Sequence, residues 1–276
     1  ALHHFMQGEF LVNQGNYALA ILEFQDALDL DPNAPTIHVS IADAYRRLGK
    51  NKRAENHLQV AIELNPDEVE GYEILGKIYI LQKRLPQAEA AFRELTRLDP
   101  DNIDHLYALA DLARLQKQWD IAIDYYLEAY RVNSMAVKGL EQALQITLAT
   151  NKFERAEEIC DLLLEEEPEN EKYLETLRDL ALFDNDFEKA LKTIQILETT
   201  RGPTVELLIQ KSALYEELDD SENALKEILK AFGRDSLNSD VLNRLVNLLL
   251  NDKQIDRAEN YNQLLIEKFP DDRSEE

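Results

Sequence analysis

The chain has 276 residues, 54 of them Asp or Glu against 30 Lys or Arg, for a formal net charge of −24. That balance argues against nucleic acid, whose affinity rests on basic contacts to phosphate, and against an anionic membrane surface. A single cysteine, Cys160, excludes an internal disulfide, and no apolar run approaches the roughly 18 residues that cross a bilayer, so no direct membrane insertion is expected.

An alanine recurs every 34 residues, at Ala20, Ala54, Ala88, Ala122, Ala156, Ala190, Ala224 and Ala258. The period divides the chain into repeats 1–34, 35–68, 69–102, 103–136, 137–170, 171–204, 205–238 and 239–272, read as one elongated domain, with 273–276 left as a tail. Such a period is the signature of a helix–turn–helix solenoid. Within a repeat the apolar residues fall at helical spacing, as in Ile41, Ala42, Tyr45 and Leu48 or Ala88, Ala91, Phe92 and Leu95. No alternating strand pattern of useful length occurs. An all-α chain of about sixteen helices is expected.

In chain order, the first four repeats carry small residues at position 8: Gly8, Ala42, Gly76 and Ala110. With the alanine at position 20 they let the two helices of a hairpin approach closely. Gly15 and Gly49 mark the turn inside the hairpin, where a left-handed residue is needed. Position 24 holds Phe24, Leu58, Phe92, Tyr126, Cys160, Ile194 and Ile228, read as filling the joint to the next repeat. Cys160 is therefore read as a buried apolar residue. Pro32, Pro66, Pro100, Pro168 and Pro270 stop the second helix, because proline lacks the amide proton a helix needs.

The pattern loosens in later repeats. Position 8 becomes Leu144, Arg178, Ser212 and Val246, and Lys211 occupies an otherwise apolar position 7. Gly202-Pro203 and Ser236 replace the acidic-Pro stop, so a kink is expected near 199–204. At the two ends, Gln7 and Asn262 replace apolar residues and read as polar caps closing the stack.

No catalytic constellation accompanies the repeat. The five histidines do not pair at three or four along a helix, and no HExxH, CxxC or phosphate-binding glycine loop is present. His4 and His38 share position 4 with later Tyr and Leu residues and are expected to pack. No enzyme activity, cofactor or metal is expected.

Small residues at positions 8 and 20, large apolar ones at 24 and proline at 32, in eight in-phase copies, resemble the tetratricopeptide repeat (TPR) family over essentially the whole chain. The resemblance implies a right-handed α-solenoid of stacked antiparallel helix hairpins. Its first helices line a concave face through positions 2, 5, 9, 12 and 13. Carried onto this sequence, those positions give a candidate partner-binding groove of Ile80, Leu81, Tyr107, Asp111, Leu115, Leu148, Glu175, Leu182 and Phe183. Acidic residues such as Glu9, Asp43, Glu70 and Glu73 outnumber basic ones at the groove positions. Family members that grip chaperone C-termini carry Lys at position 5 and Asn at position 9. Pairs such as Glu73/Lys77 and Tyr107/Asp111 do not match, and a chaperone-tail receptor is not expected.

The resulting expectation is a non-catalytic protein-interaction scaffold whose groove takes a partner segment with apolar anchors and positive charge. The alternative is a regulatory or localisation arm of a larger enzyme or membrane-anchored envelope protein. Self-association is a third reading. A cytoplasmic location is expected, or a periplasmic or envelope-anchored one if an N-terminal signal is removed.

Overall fold

Sixteen α-helices and no strand make up residues 1–269, the part of the chain that the computed structural model describes. Pro270 and the tail 273–276 lie outside the described residues. The chain divides into two compact units, Ala1–Thr150 and the remainder from Asn151 on. The first unit holds α1 (Leu2–Asn13), α2 (Tyr17–Leu30), α3 (Pro35–Arg47), α4 (Asn51–Leu64), α5 (Val69–Leu81), α6 (Leu85–Leu98), α7 (Ile103–Leu115), α8 (Trp119–Val132) and α9 (Val137–Ala149). The second holds α10 (Phe153–Glu166), α11 (Glu171–Phe183), α12 (Phe187–Arg201), α13 (Val205–Glu217), α14 (Ser221–Arg234), α15 (Ser239–Asn251) and α16 (Ile255–Lys268). Each repeat supplies two helices, as the period predicts. Within each unit consecutive helices pack on one another, the nearest-neighbour arrangement of a solenoid.

One turn geometry recurs in every hairpin. Gly15 and Gly49 have φ of 77° and 71°, as expected. The six later copies of the position are not glycine: Lys83, Lys117, Asn151, Asn185, Asp219 and Lys253, with φ from 55° to 61°. The backbone forces this. In the third repeat the Arg84 amide donates to the Tyr79 carbonyl at 2.8 Å and the Lys83 amide to Ile80 at 3.0 Å. That pair of bonds closes the helix end only when the intervening residue is left-handed.

Proline proves unnecessary for ending the second helix. α8 and α14 stop at the same register before Ser134 and Ser236. There the Asn133 and Asp235 side chains accept from the Met135 and Leu237 amides at 3.0 and 3.1 Å. This local side-chain bond offers the backbone an alternative to continuing the helix. The junction after α12 differs. The helix runs on through Arg201 and ends at Gly202, with φ 84°, before Thr204 caps α13 by accepting from the Leu207 amide.

The alanines at position 20 are buried throughout, and Cys160 is fully buried as expected. Burial pushes its thiol up to about 12, so it behaves as an apolar residue. Two expectations are corrected. Gly76 is kept small by Phe92 of its own hairpin, and Gly8 by Phe24, so position 24 fills the space inside the hairpin. His4 is only half-buried, with its ring nitrogen 2.8 Å from Glu23.

Lys211, an uncomfortable position in the sequence, is 5 % exposed and held between two carboxylates. Its Nζ lies 2.7 Å from Glu198 and 3.4 Å from Glu227, and Glu227 also accepts from Lys230 at 2.7 Å. The end helices carry apolar as well as polar surface. Gln7 is exposed, but so are Leu2, Met6 and Phe10 on the same end helix, and Leu250 and Ile266 at the other end.

Candidate functional site

In the first unit α1 packs on α3 and α3 on α5, so the first helices of the first three hairpins form one face. Side chains at positions 12 and 13 close each first helix and stand at the edge of that face. Leu81 is 69 % exposed and Leu115, its equivalent one repeat later, 66 %. Ile80 is about as accessible as a surface residue, and Leu148 is half-buried at the end of α9.

Tyr107 is tied into the structure. Its hydroxyl donates to the Ala136 carbonyl at 3.3 Å. Its ring covers Gly139, where a Cβ would stand 3.0 Å from Cε1. Asp111 accepts from the Tyr126 hydroxyl at 2.9 Å and pairs with Arg114 at 3.1 Å. Arg114 in turn donates to Gln142 at 3.0 Å. These residues and Lys138 line a cavity of about 350 Å³. Burial, reinforced by the Asp111 hydrogen bond, pushes the Tyr126 hydroxyl up to about 12, so it remains a donor. Tyr126 and Gln142 were not among the sequence candidates, because they sit outside the family's groove positions. The available signal was a hydroxyl in the otherwise apolar start of the position-24 series, since a buried tyrosine needs a partner.

A second cavity, of about 270 Å³, opens among the first three hairpins and is lined by Glu9, Asp43, Ser40 and Glu70. Ser40 donates to Glu9 at 2.7 Å, and Asp43 is held by Arg46 and Arg47, both at 2.6 Å. Among the described residues no cation is paired with Glu70 in this way. Burial first, then the charges of Asp43, Glu68, Glu9 and Glu73, push its carboxyl above the ordinary range.

In the second unit Leu182 and Phe183 end α11. The Phe183 ring is exposed on one side and packs on Phe153 on the other, with centroids 4.5 Å apart at 57°. Glu175 is half-buried and neutralised by Arg201 at 2.9 Å, which also reaches Glu171 at 3.3 Å. His4, Glu23 and Asp26 bring three potential metal-ligand atoms within 4.8 Å of one another, the one such group among the described residues. His4 and Glu23 are already joined by a hydrogen bond of 2.8 Å. No helix of the described residues is long and apolar enough to cross a membrane.

Comparison with known proteins agrees with this architecture. Family models described as tetratricopeptide repeat and TPR repeat match residues 39–103 with 84–137, and 8–49. The chain is 24 % identical over 226 residues to DnaJ homolog subfamily C member 3 of Bos taurus, covering 82 % of this chain and 41 % of that protein. It is 27 % identical over 194 residues to the BBSome complex member BBS4 homolog of Drosophila melanogaster, covering 66 % of this chain and 40 % of that one. The chain thus spans about two fifths of the length of these relatives. A tetratricopeptide repeat protein from Parabacteroides merdae superposes with a TM-score of 0.51 at 17 % identity over 90 % of this chain and 98 % of that one. The Naa15/Naa10 complex bound to HypK-THB superposes at 0.59 and 14 % identity over 98 % of this chain and 42 % of that one. Eight hairpins in one unbroken 34-residue frame, the small-residue contacts inside them and these matches converge: the chain belongs to the tetratricopeptide repeat family.

Proposed function

We propose that the first-helix face of the first unit binds an extended or helical segment of another protein and carries out no chemistry. The observation that carries this reading is the exposure of Leu81 and Leu115 at equivalent positions one repeat apart. Apolar side chains repeated at helix ends, where a charged residue costs nothing, mark a recognition surface. Leu81 and Leu115 are the anchors, and Tyr107 supports the floor between hairpins. The crowded carboxylates around Glu70 favour a segment carrying a Lys or Arg, whose charge would relieve their mutual repulsion. In the second unit, the Phe183–Phe153 pair is a further apolar contact for the same kind of ligand.

The test is affinity capture with the wild-type chain, with Leu81→Ser/Leu115→Ser, and with the exposed control Leu64→Ser on α4. A protein retained by wild type and control but lost by the double variant supports the reading. Its binding should weaken with salt as the charge contribution is screened. Ligands that ignore the double substitution place recognition elsewhere.

A second reading is favoured by the length of the relatives: this array is an arm of a longer protein. A stretch of 77 residues is 35 % identical to the protein O-mannosyl-transferase F38B6.6 of Caenorhabditis elegans and covers 11 % of it. The full reading frame of the gene distinguishes an appended domain from a free-standing scaffold.

A further inference from the structure

His4 stands on α1, while Glu23 and Asp26 stand three residues apart on α2, so that both carboxylates share the helix face turned to the imidazole. His4 Nδ1 lies 2.8 Å from Glu23 Oε2 and 4.0 Å from Asp26 Oδ2. All three atoms fall within 4.8 Å of one another. A single imidazole N–H satisfies Glu23 but leaves Asp26 beyond hydrogen-bond reach. Asp26 makes no other ion pair among the described residues. Neither α1 nor α2 contains a Lys or Arg, and the first in the sequence is Arg46. Two neighbouring carboxylates therefore share one imidazole and no permanent cation.

The backbone behind these groups is firmly held. Phe5 follows His4 and Phe24 follows Glu23, and their rings pack with centroids 5.8 Å apart. Phe24 and Ala27 are fully buried, and the Phe24 ring sits on Gly8. The ligand tips stay wet: the side chains of His4, Glu23 and Asp26 are 37 %, 31 % and 63 % exposed. Anchored stems with accessible tips suit a metal ion that keeps an open coordination position for water.

We propose that His4 Nδ1 and one carboxylate oxygen each of Glu23 and Asp26 bind a Zn(II) ion, which clamps α1 to α2. Bonds of about 2.0–2.2 Å hold two donors of a tetrahedral ion roughly 3.3–3.5 Å apart. The observed 2.8 and 4.0 Å bracket that separation, and rotation of the exposed carboxylates closes the difference. The ion takes the place of the proton between His4 and Glu23 and reaches Asp26 as well. The His4 proton then resides on Nε2, and the two carboxylates cancel the charge of the ion. An imidazole donor selects a borderline ion over Mg(II) and Ca(II), which call for shells built of oxygen. No spacing motif announces this set, because His4 and Glu23 lie 19 residues apart on separate helices.

Isothermal titration of the full chain with Zn(II) at neutral pH, in excess Mg(II), tests the proposal. Wild type should bind one Zn(II). Glu23→Gln and Asp26→Asn should each weaken binding by ~10–100-fold, and His4→Phe should abolish it. His3→Ala and His57→Phe, which remove the other imidazoles of the first two hairpins, should bind as wild type does. Circular dichroism checks that the variants keep their helices, and the exposure of Asp26 makes Asp26→Asn the variant safest for the fold. Zn(II) should also slow amide hydrogen exchange in α1 and α2 of wild type but not of Asp26→Asn, since an ion bound to the folded hairpin suppresses its opening. Wild type with no binding tighter than about 100 µM overturns the proposal. So does undiminished affinity in Asp26→Asn or His4→Phe, and so does binding that is lost with His3→Ala or His57→Phe.

Discussion

The ring of Phe92 lies against the α-carbon of Gly76, and a Cβ there would stand 2.8 Å from its Cε2. Phe24 lies on Gly8 in the same way, and where Leu58 replaces the ring the facing residue is Ala42. In the first three hairpins size at position 24 is thus balanced by size at position 8. Helix propensity alone would make Gly76→Ala stabilising by about 1 kcal/mol. Overpacking against a buried ring costs ~1–3 kcal/mol, and we expect a net loss. Adding Phe92→Leu should recover part of it, because the second repeat already uses that pair. Urea denaturation of both single variants and the double variant measures the coupling, and simple additivity would disprove the contact.

Six hairpin turns hold a non-glycine residue in the left-handed region. At Lys117, with φ 58°, glycine would relieve the clash of Cβ with the backbone. After subtracting the entropy glycine adds to the unfolded chain, Lys117→Gly should stabilise by about 0.5–1 kcal/mol. Gly15→Ala should lose a similar amount. Thermal melts of the two variants should therefore shift in opposite directions.

His38 and His57 face each other across α3 and α4 with Nδ1 atoms 3.1 Å apart. A hydrogen bond between two Nδ1 atoms needs one of them protonated and the other bare. Protonating both rings would set two Nδ1 donors against each other. Burial lowers both pKa values, helped at His57 by the neighbouring His38. With folded pKa values below the unfolded one, the unfolded chain binds more protons in acid. The stability contributed is complete above about pH 6.5 and is lost as pH falls through the folded values. Urea midpoints should decline from pH 7 to 5, and His57→Phe, which also stacks on Tyr45, should flatten that decline.

Lys211 is a buried cation whose ordinary pKa would be lowered by burial but is raised by Glu198 and Glu227. Lys211→Met leaves two carboxylates with less compensation, and we expect a loss of ~3–5 kcal/mol in the second unit. Replacing Glu198, Lys211 and Glu227 together by Leu, Met and Leu should recover most of it, since a packed apolar set avoids desolvating charge. Denaturation curves for the single and triple variants decide; a harmless single variant would show the network to be solvated.

The repeat frame, the all-α class and the helix ends were legible because they depend on local periodicity and on residues such as Asp31-Pro32 and Gly15, which act on their own backbone. The candidate face was legible only as a set of positions. That Leu81 and Leu115 are bare while Tyr107 is committed to Ala136 and Gly139 depends on the neighbouring hairpin, which no single helix encodes.

The sequence by itself determined that the chain folds as 34-residue hairpins, because each must bury one apolar stripe and the stripe returns in phase every time. Tertiary structure alone decided what the exceptions mean. Lys211 finds its carboxylates on two other helices, α12 and α14, and Gly76 is small because of a ring sixteen residues away. Phe10 is exposed although its counterparts are buried, for the physical reason that burial is conferred by the preceding repeat, and the first repeat has none among the described residues.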